Sequence, residues 1–181
     1  GRQSERWAAY QWVQAHLPVT VVTAFAPGRP WSLNLWTENL RQSGLPLDRA
    51  HLVAVDNMHD SGLSLRLNEL LEALRPAAWT VMPFDDVTRG ESLAPRRNGK
   101  VTDFMCALWR RALPLCDGDL LWSLEDDVQL RGGDYPRLVS ALRPHVGIVG
   151  SPAVSRWRTP LETMVRRLAS REPYGLAVLP N

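Results

Sequence analysis

Three acidic residues follow one another after an apolar run at 120–124: Glu125, Asp126 and Asp127. Charges of one sign this close together repel one another unless water or a cation lies among them. An apolar run of this length that ends in charge is typical of a buried strand. Because a rigid strand holds its terminal side chains in a fixed geometry, we expect a metal site here rather than a solvated turn.

The most plausible ion for such a site is Mg²⁺ or Mn²⁺. Either ion binds one or two protein carboxylates and completes its shell with phosphate oxygens of a substrate. If the chain stays extended, strand alternation places Glu125 and Asp127 on one face and Asp126 on the other. We therefore expect Asp127 to bind the metal, Glu125 to assist, and Asp126 to face away.

The segments before the acidic residues alternate between predicted strands and helices. Apolar, β-branched runs predict strands at 19–25, 52–55, 79–82 and from 120 onward. Helical spacing predicts helices from Trp31 to before Gly44, from Asp60 or Ser61 to before Pro76, and from Val101 to before Pro114. Strands and helices that alternate over short connections predict an α/β fold with a mostly parallel central sheet and helices on both faces, in three Rossmann-like layers.

Acidic residues follow the second and third predicted strands as well, at Asp56 and at 85–86. In open parallel sheets, ligands bind beyond the carboxyl ends of the strands, so these residues are expected near the acidic triplet. For 85–86 a solvated turn is the simpler interpretation. The loop at 83–99 is long and rich in arginine, which is typical of a functional or mobile segment.

The remaining chain and its composition predict one domain. After the triplet, the patterns predict a helix at 135–142, a strand at 146–149, a helix at 159–169 and a strand at 176–179. The 181 residues suffice for one hydrophobic core. A net charge of +2 is too small to indicate a nucleic-acid or membrane partner by itself.

Cellular location is predicted from the cysteines and from hydropathy. Cys106 and Cys116 have neither a CxxC nor a metal-ligand spacing, so we expect buried, reduced thiols. No apolar stretch approaches the roughly 18 residues that cross a bilayer, and no signal peptide is visible. These observations predict a cytoplasmic protein without a transmembrane segment, and they leave the oligomeric state open.

The chain resembles the GT-A glycosyltransferases, especially their family 2-like members. Three segments carry the resemblance. The first is the predicted strand at 19–25, and the second is VDNMHDS at 55–61, which is similar to the family's VDDGSTD. The third is 118–127, in which a GD turn and a strand precede the acidic triplet, at the position of the family's DxD motif. The resemblance covers 18–130 and implies a GT-A fold in a single domain at 1–181. Residues 18–130 would form the nucleotide-sugar-binding half, and 131–181 a short or truncated acceptor half.

The resemblance also implies an activity and site residues. The activity is metal-dependent transfer of a sugar from a UDP- or GDP-sugar, with Mn²⁺ or Mg²⁺ as cofactor and an unidentified acceptor. The metal ligands would be Asp127 and Glu125, although Glu in place of the first Asp departs from the common pattern. The implied donor-binding positions are Thr23, Ala24, Phe25, Asp56, Lys100, Asp103, Glu125 and Asp126.

An inverting transferase also needs a carboxylate base for the acceptor hydroxyl. Glu162 and Glu172 are the acids available downstream, and we name Glu172 as the candidate, although either can be an ordinary surface residue. A nucleic-acid acceptor is permitted by the arginine-rich loop but is not implied.

Two other protein classes with acidic or phosphate-binding strand ends fit the sequence less well than a transferase does. A phosphoacceptor receiver domain needs an acidic pair after the first strand, where this chain has Ala26-Pro27-Gly28. A P-loop NTPase needs GxxxxGK[ST], which is absent from the sequence. A non-catalytic module that binds a nucleotide sugar or a partner on a transferase-like fold stays open as the alternative.

Overall fold

The computed structural model describes residues 1, 4–5, 8, 16–84, 100–142, 148–150 and 176–178, with backbone alone at 100–104, 148–150 and 176–178. Residues 85–99 of the predicted loop at 83–99, and the predicted helix at 159–169, lie outside the described residues. The strands and helices are β1 Val19–Phe25, α1 Ser32–Gln42, β2 Ala50–Asp56, α2 Ser61–Leu74, β3 Ala78–Pro83, α3 Lys100–Ala112, β4 Leu120–Ser123, α4 Asp134–Ala141, β5 Ile148–Gly150 and β6 Leu176–Val178.

The chain divides into two compact units. The first comprises Leu17–Arg41 and Pro46–Gln129, and the second comprises Gly1–His16, Gln42–Leu45 and Leu130–Asn181. In the second unit, the turn before α4 is tied to the Gln42–Leu45 segment by backbone bonds from the Gly133 amide to Gln42 and from the Tyr135 amide to Ser43. Strands β5 and β6 of this unit pair in parallel.

A sheet of four parallel strands forms the centre of the first unit, in the order β3-β2-β1-β4. Strand β1 pairs with β2 along its whole length, up to Phe25 opposite Asp56. Its pairing with β4 stops earlier, at Val22 opposite Ser123. This topology confirms the predicted α/β fold with a parallel sheet, and it brings the carboxyl ends of the strands to one edge.

Helices cover both faces of this sheet. On one face, Val22 packs in a buried cluster with Val53 and with Leu108 of α3. On the other face, the ring of Phe25 meets Trp36 of α1 edge to face, with 5.1 Å between the ring centroids. The predicted arrangement of helices on both faces is therefore confirmed, because alternate residues of β1 contact α3 and α1.

Two predictions about local structure are wrong. Strand β4 was expected to continue into the acidic residues, but its pairing ends at Ser123 and the chain then turns at 126–127. Cys106 was expected to be buried and is exposed, because it lies off the side of α3 that buries Leu108 and Ala112. Cys116 is half-buried, and both thiols are free. Within the described residues, no helix combines the length and the apolar character needed to cross a bilayer.

The turn before β4 is held at the amino edge of the sheet by a chain of polar contacts. The Gly118 amide donates to Thr20 Oγ1 at 2.9 Å. His51 Nδ1 lies 2.7 Å from Asp117 Oδ1, and its Nε2 lies 2.8 Å from Thr80 Oγ1. Since Thr20, His51 and Thr80 belong to β1, β2 and β3, this chain links the turn to each of those strands.

Alanine at position 118 should destabilise the protein. Its Cβ would lie 2.6 Å from the Thr20 amide nitrogen and 2.8 Å from the Val19 carbonyl carbon, both of which are backbone atoms of β1. We expect Gly118→Ala to lower the free energy of unfolding by about 1–3 kcal/mol, as overpacking does. Urea denaturation measures this. The control is Gly132→Ala, whose Cβ would meet its nearest atom at 3.8 Å and should change stability little; equal losses in the two variants would contradict the steric account.

Stability should depend on the ionisation of Asp117. The hydrogen bond with His51 holds the pKa of this carboxyl below its ordinary value. The carboxylate therefore contributes stability above the unfolded-state pKa of about 3.9, and the contribution is lost as the pH falls through the lower pKa of the folded state. Unfolding curves of the wild type and Asp117→Asn should differ at neutral pH and converge in acid. Asp119→Asn controls for the loss of a nearby exposed charge. If the stability difference between the wild type and Asp117→Asn were the same at neutral and at acidic pH, the prediction would be contradicted.

Candidate functional site

The candidate site lies at the carboxyl edge of the sheet, where the last residue of β1 and the residue after it contact two acidic segments. The Phe25 carbonyl accepts a hydrogen bond from the Asn57 amide at 3.2 Å. The Ala26 amide donates to Asp126 Oδ2 at 3.3 Å. The segment after β2 and the acidic turn after β4 therefore flank the end of β1, as the convergence predicted from strand order requires.

An arginine binds both of the last two acids of the triplet. Nη1 of Arg29 lies 2.6 Å from Asp127 Oδ2 and 3.4 Å from Asp126 Oδ1. The Asp126 and Asp127 side chains are only 5% and 7% exposed, and that of Arg29 is 27% exposed. Two carboxylates are thus held side by side, almost out of contact with water, by one guanidinium. We refer to Asp126 and Asp127 as the acid pair.

Burial has a measurable consequence for Asp126. Loss of water raises the pKa of this carboxyl above its ordinary value, although the Ala26 amide and the Arg29 charge favour the ionised form. Ser32 is the first residue of α1, and its own amide donates to the Arg29 carbonyl at 3.0 Å. The start of α1 therefore fixes the backbone of the arginine that binds the acid pair.

The expected orientation of the triplet is wrong. Strand alternation predicted that the side chains of Glu125 and Asp127 share one face and that Asp126 faces away. However, β4 ends at Ser123, so side chains after this residue no longer alternate between two faces. Glu125 is exposed, whereas Asp126 is buried against β1. The two adjacent aspartates face Arg29 together because the chain turns at this point.

The acid pair can hold a hard divalent cation, but the predicted ligand set changes. Two carboxylates with phosphate oxygens from a ligand are an ordinary donor set for Mg²⁺ or Mn²⁺. Within the described residues, no group of three His, Cys, Asp or Glu side chains lies close enough to hold an ion. The chemistry of Asp126 and Asp127 therefore fits the metal, while Glu125 does not share their position.

Asp56 and Asn57 form the part of the site that follows β2. The Asp56 carboxylate accepts from the Met58 amide at 3.0 Å and from the Ser64 hydroxyl of α2. A carboxylate can accept further hydrogen bonds, so Asp56 retains acceptor capacity. Asn57 is 9% exposed as a whole residue, and its side-chain amide oxygen has no hydrogen-bond partner among the described residues. A buried oxygen of this kind carries an energetic cost until a donor reaches it.

Two residues predicted to line a base pocket belong to the core. Thr23 Oγ1 accepts a hydrogen bond from the Trp36 indole at 2.9 Å, and Thr23 is 1% exposed. Phe25 is fully buried against the same indole. Neither side chain has free surface for a nucleobase, so we assign both to packing. Ala24 packs against the cluster on the opposite face.

The other predicted residues lie where the structure gives less detail. Lys100 and Asp103 belong to the first turn of α3, where the described structure is backbone alone. Asp85, Asp86, Glu162 and Glu172 lie outside the described residues.

Sequence reasoning missed Arg29. Its segment, Pro27-Gly28-Arg29-Pro30, has the composition of an ordinary turn and gives no sign of a site by itself. A signal was present, since a cation directly after the first strand must lie at the same edge as acids that follow another parallel strand. Asn57 was included in the segment that carries the resemblance, but its buried amide oxygen could be identified only from the fold.

The two members of the acid pair should differ in their contribution to stability. Asp127→Asn removes the short ion pair with Arg29, so we expect the free energy of unfolding to fall by about 2 kcal/mol. This is less than the ~3–5 kcal/mol lost when a fully buried pair is broken, because Arg29 is partly exposed. Asp126→Asn should cost less, because its amide oxygen can still accept from Ala26 and the burial of one charge is relieved. Chemical denaturation at neutral pH compares the two with the exposed control Asp48→Asn. A larger loss in Asp126→Asn would contradict this ranking.

Comparison with known proteins identifies the fold. No protein-family model and no curated protein matches the sequence. A solved structure, the mannosyltransferase PcManGT from Pyrobaculum calidifontis in complex with GDP-Man and Mn²⁺, matches with a TM-score of 0.59 and 18% identity. The match covers 90% of this chain and 47% of that one, so the chain spans about half the length of its structural neighbour. The protein therefore has a Rossmann-like glycosyltransferase fold.

Proposed function

We propose that this protein is a glycosyltransferase that moves a sugar from a nucleoside-diphosphate sugar to an acceptor. The observation that carries the proposal is the position of the acid pair, at the carboxyl end of β4 and beside the end of β1, on a glycosyltransferase fold. Ligands of parallel α/β sheets bind at this edge. The sequence resemblance at 18–130 supports a family 2-like member of the GT-A enzymes.

The proposed donor is a GDP-sugar, with a UDP-sugar as the second candidate. The structural neighbour was solved with GDP-Man, which makes GDP the first nucleotide to test. On this chain, the segment after β2 would receive the nucleoside. The buried Asn57 amide oxygen can accept a hydrogen bond from an N–H group, and Asp56 can accept from a ribose hydroxyl.

Asp126 and Asp127 would hold the divalent cation. Bound there, Mn²⁺ or Mg²⁺ would supply Lewis-acid stabilisation of the diphosphate leaving group. The chain's own groups would orient the donor. The guanidinium of Arg29 lies at the acid pair and can neutralise phosphate charge, while the burial of both aspartates limits access of water.

The two candidate bases for the acceptor hydroxyl, Glu172 and Glu162, lie outside the described residues. An inverting transfer needs a carboxylate within hydrogen-bond reach of the acceptor hydroxyl. Glu172 stays our candidate and Glu162 its alternative. Both are tested by substitution with glutamine once a donor and an acceptor are known.

Nucleotide binding tests the proposal directly. We expect GDP or UDP to bind in calorimetric titrations with Mn²⁺, and to bind at least about tenfold more weakly to Asp127→Ala, since loss of a metal ligand reduces metal-dependent affinity. The control is Asp48→Ala, which removes an exposed carboxylate from the turn before β2 and should leave binding unchanged. Metal-dependent binding that survives Asp127→Ala would contradict the assignment of the metal site.

A second measurement separates an enzyme from a binding module. Incubation with GDP-mannose or UDP-glucose and Mn²⁺ should release the nucleoside diphosphate slowly, with water as the acceptor. If a sugar nucleotide binds but none is ever turned over, with or without candidate acceptors, the protein is a non-catalytic sugar-nucleotide-binding module instead.

A further inference from the structure

The acid pair already has a cationic partner, because the guanidinium of Arg29 contacts both of its carboxylates. Its Nη1 contacts both carboxylates, at 2.6 and 3.4 Å. We propose that Arg29 and a divalent cation compete for the acid pair, and that a nucleoside diphosphate favours the cation by drawing the guanidinium to its phosphates. The first half of this proposal stands on the geometry alone, and the second rests on the proposed function.

The competition follows from charge and burial. The two acidic side chains are 5% and 7% exposed, so little water is available to screen charges beside them. A divalent cation at Asp127 Oδ2 would lie next to a guanidinium that touches the same oxygen. Like charges at such a distance repel strongly in a poorly solvated site. The metal and Arg29 therefore cannot both keep their best contacts with the acid pair.

Arg29 has unused donors with which to bind an anion. Both of its ion pairs are made by Nη1, and within the described residues neither Nε nor Nη2 makes a hydrogen bond. The side chain is 27% exposed, so part of it is accessible to a ligand. Guanidinium groups bind phosphate oxygens with charge-assisted, often bidentate, hydrogen bonds. A diphosphate can thus replace the carboxylates as the partner of Arg29.

The movement would be a rotation of the side chain and not of the loop. Pro27 and Pro30 restrict the backbone on both sides of Arg29, and the Arg29 carbonyl accepts from the Ser32 amide at 3.0 Å. Gly28 has a φ of +77°, and a Cβ built there would meet no described atom within 4 Å. Because the two prolines and this hydrogen bond restrict the backbone around Arg29, we expect the side chain to rotate while the loop keeps its course.

The test compares two affinities whose changes have opposite signs. Mn²⁺ binding without nucleotide, followed by the paramagnetic resonance signal of free Mn²⁺, should be at least about fivefold tighter in Arg29→Gln than in the wild type, which is the low end of ordinary coupling between two sites. GDP binding at saturating Mn²⁺ should instead be weaker in Arg29→Gln. A purely structural role for Arg29 would weaken both.

Arg66→Gln is the matched control, because it removes one positive charge from an exposed ion pair with Glu69 on α2. Both of its affinities should equal those of the wild type. Mn²⁺ affinity that is unchanged or reduced in Arg29→Gln overturns the competition. GDP binding that needs no metal in the wild type and is lost in Arg29→Gln also overturns it, since Arg29 would then act in place of the cation.

The outcomes also distinguish this proposal from the proposed function. If Arg29→Gln gains Mn²⁺ affinity but neither protein binds GDP or UDP, the competition holds and the transferase assignment fails. If Arg29→Gln does not fold, Mn²⁺ should restore its folding by replacing the lost charge. Should it stay unfolded, Arg29→Lys is measured; one ammonium replaces the guanidinium fork, so its Mn²⁺ affinity should exceed that of the wild type, and no gain overturns the proposal.

Discussion

Electrostatic compensation of two buried carboxylates by one guanidinium is the interaction on which the candidate site depends. Moving an ionised group from water into a protein interior costs on the order of several kcal/mol of free energy, unless a charged partner and hydrogen bonds replace the solvent. Asp126 and Asp127 obtain that replacement from Arg29 and the Ala26 amide, which belong to the segment between β1 and α1. The turn after β4 is therefore defined by contacts with a part of the chain about a hundred residues earlier.

The parallel sheet brings the end of β4 beside the end of β1, which makes the contact between the acid pair and Arg29 possible. It also places two different polar clusters at its opposite edges. At the amino edge, Thr20, His51 and Thr80 form a chain of hydrogen bonds with the turn at Asp117. At the carboxyl edge, the polar groups include an oxygen without a described partner, on Asn57, and an arginine with unused donors. Satisfied polar groups stabilise a fold, whereas unsatisfied ones are available to a ligand. This contrast favours the carboxyl edge as the functional one.

Most of the fold could be predicted from the sequence, because the spacing of apolar residues and the residue types that form turns and helix caps depend only on neighbouring residues. The β-branched run at 19–25 and the start of α2 at Asp60 or Ser61 are examples, and both are confirmed: β1 spans Val19–Phe25, and Asp60 caps α2. The side-chain directions in the site could not be predicted, because they depend on where strand pairing stops. Strand alternation assigned Asp126 to the wrong side, since β4 ends at Ser123. Burial of Thr23 likewise depends on Trp36, a partner on another element.

The short β4 has a consequence for how such a site can vary among related proteins. Its pairing with β1 involves only the residues up to Ser123, and the acids come after the last paired residue. An insertion, a deletion or a reordering of residues after Ser123 would leave the sheet register unchanged. Changes to the acids therefore act on their contacts with Ala26 and Arg29 and not on the strand pairing, so the affinity of the site can be altered separately from the sheet that presents it.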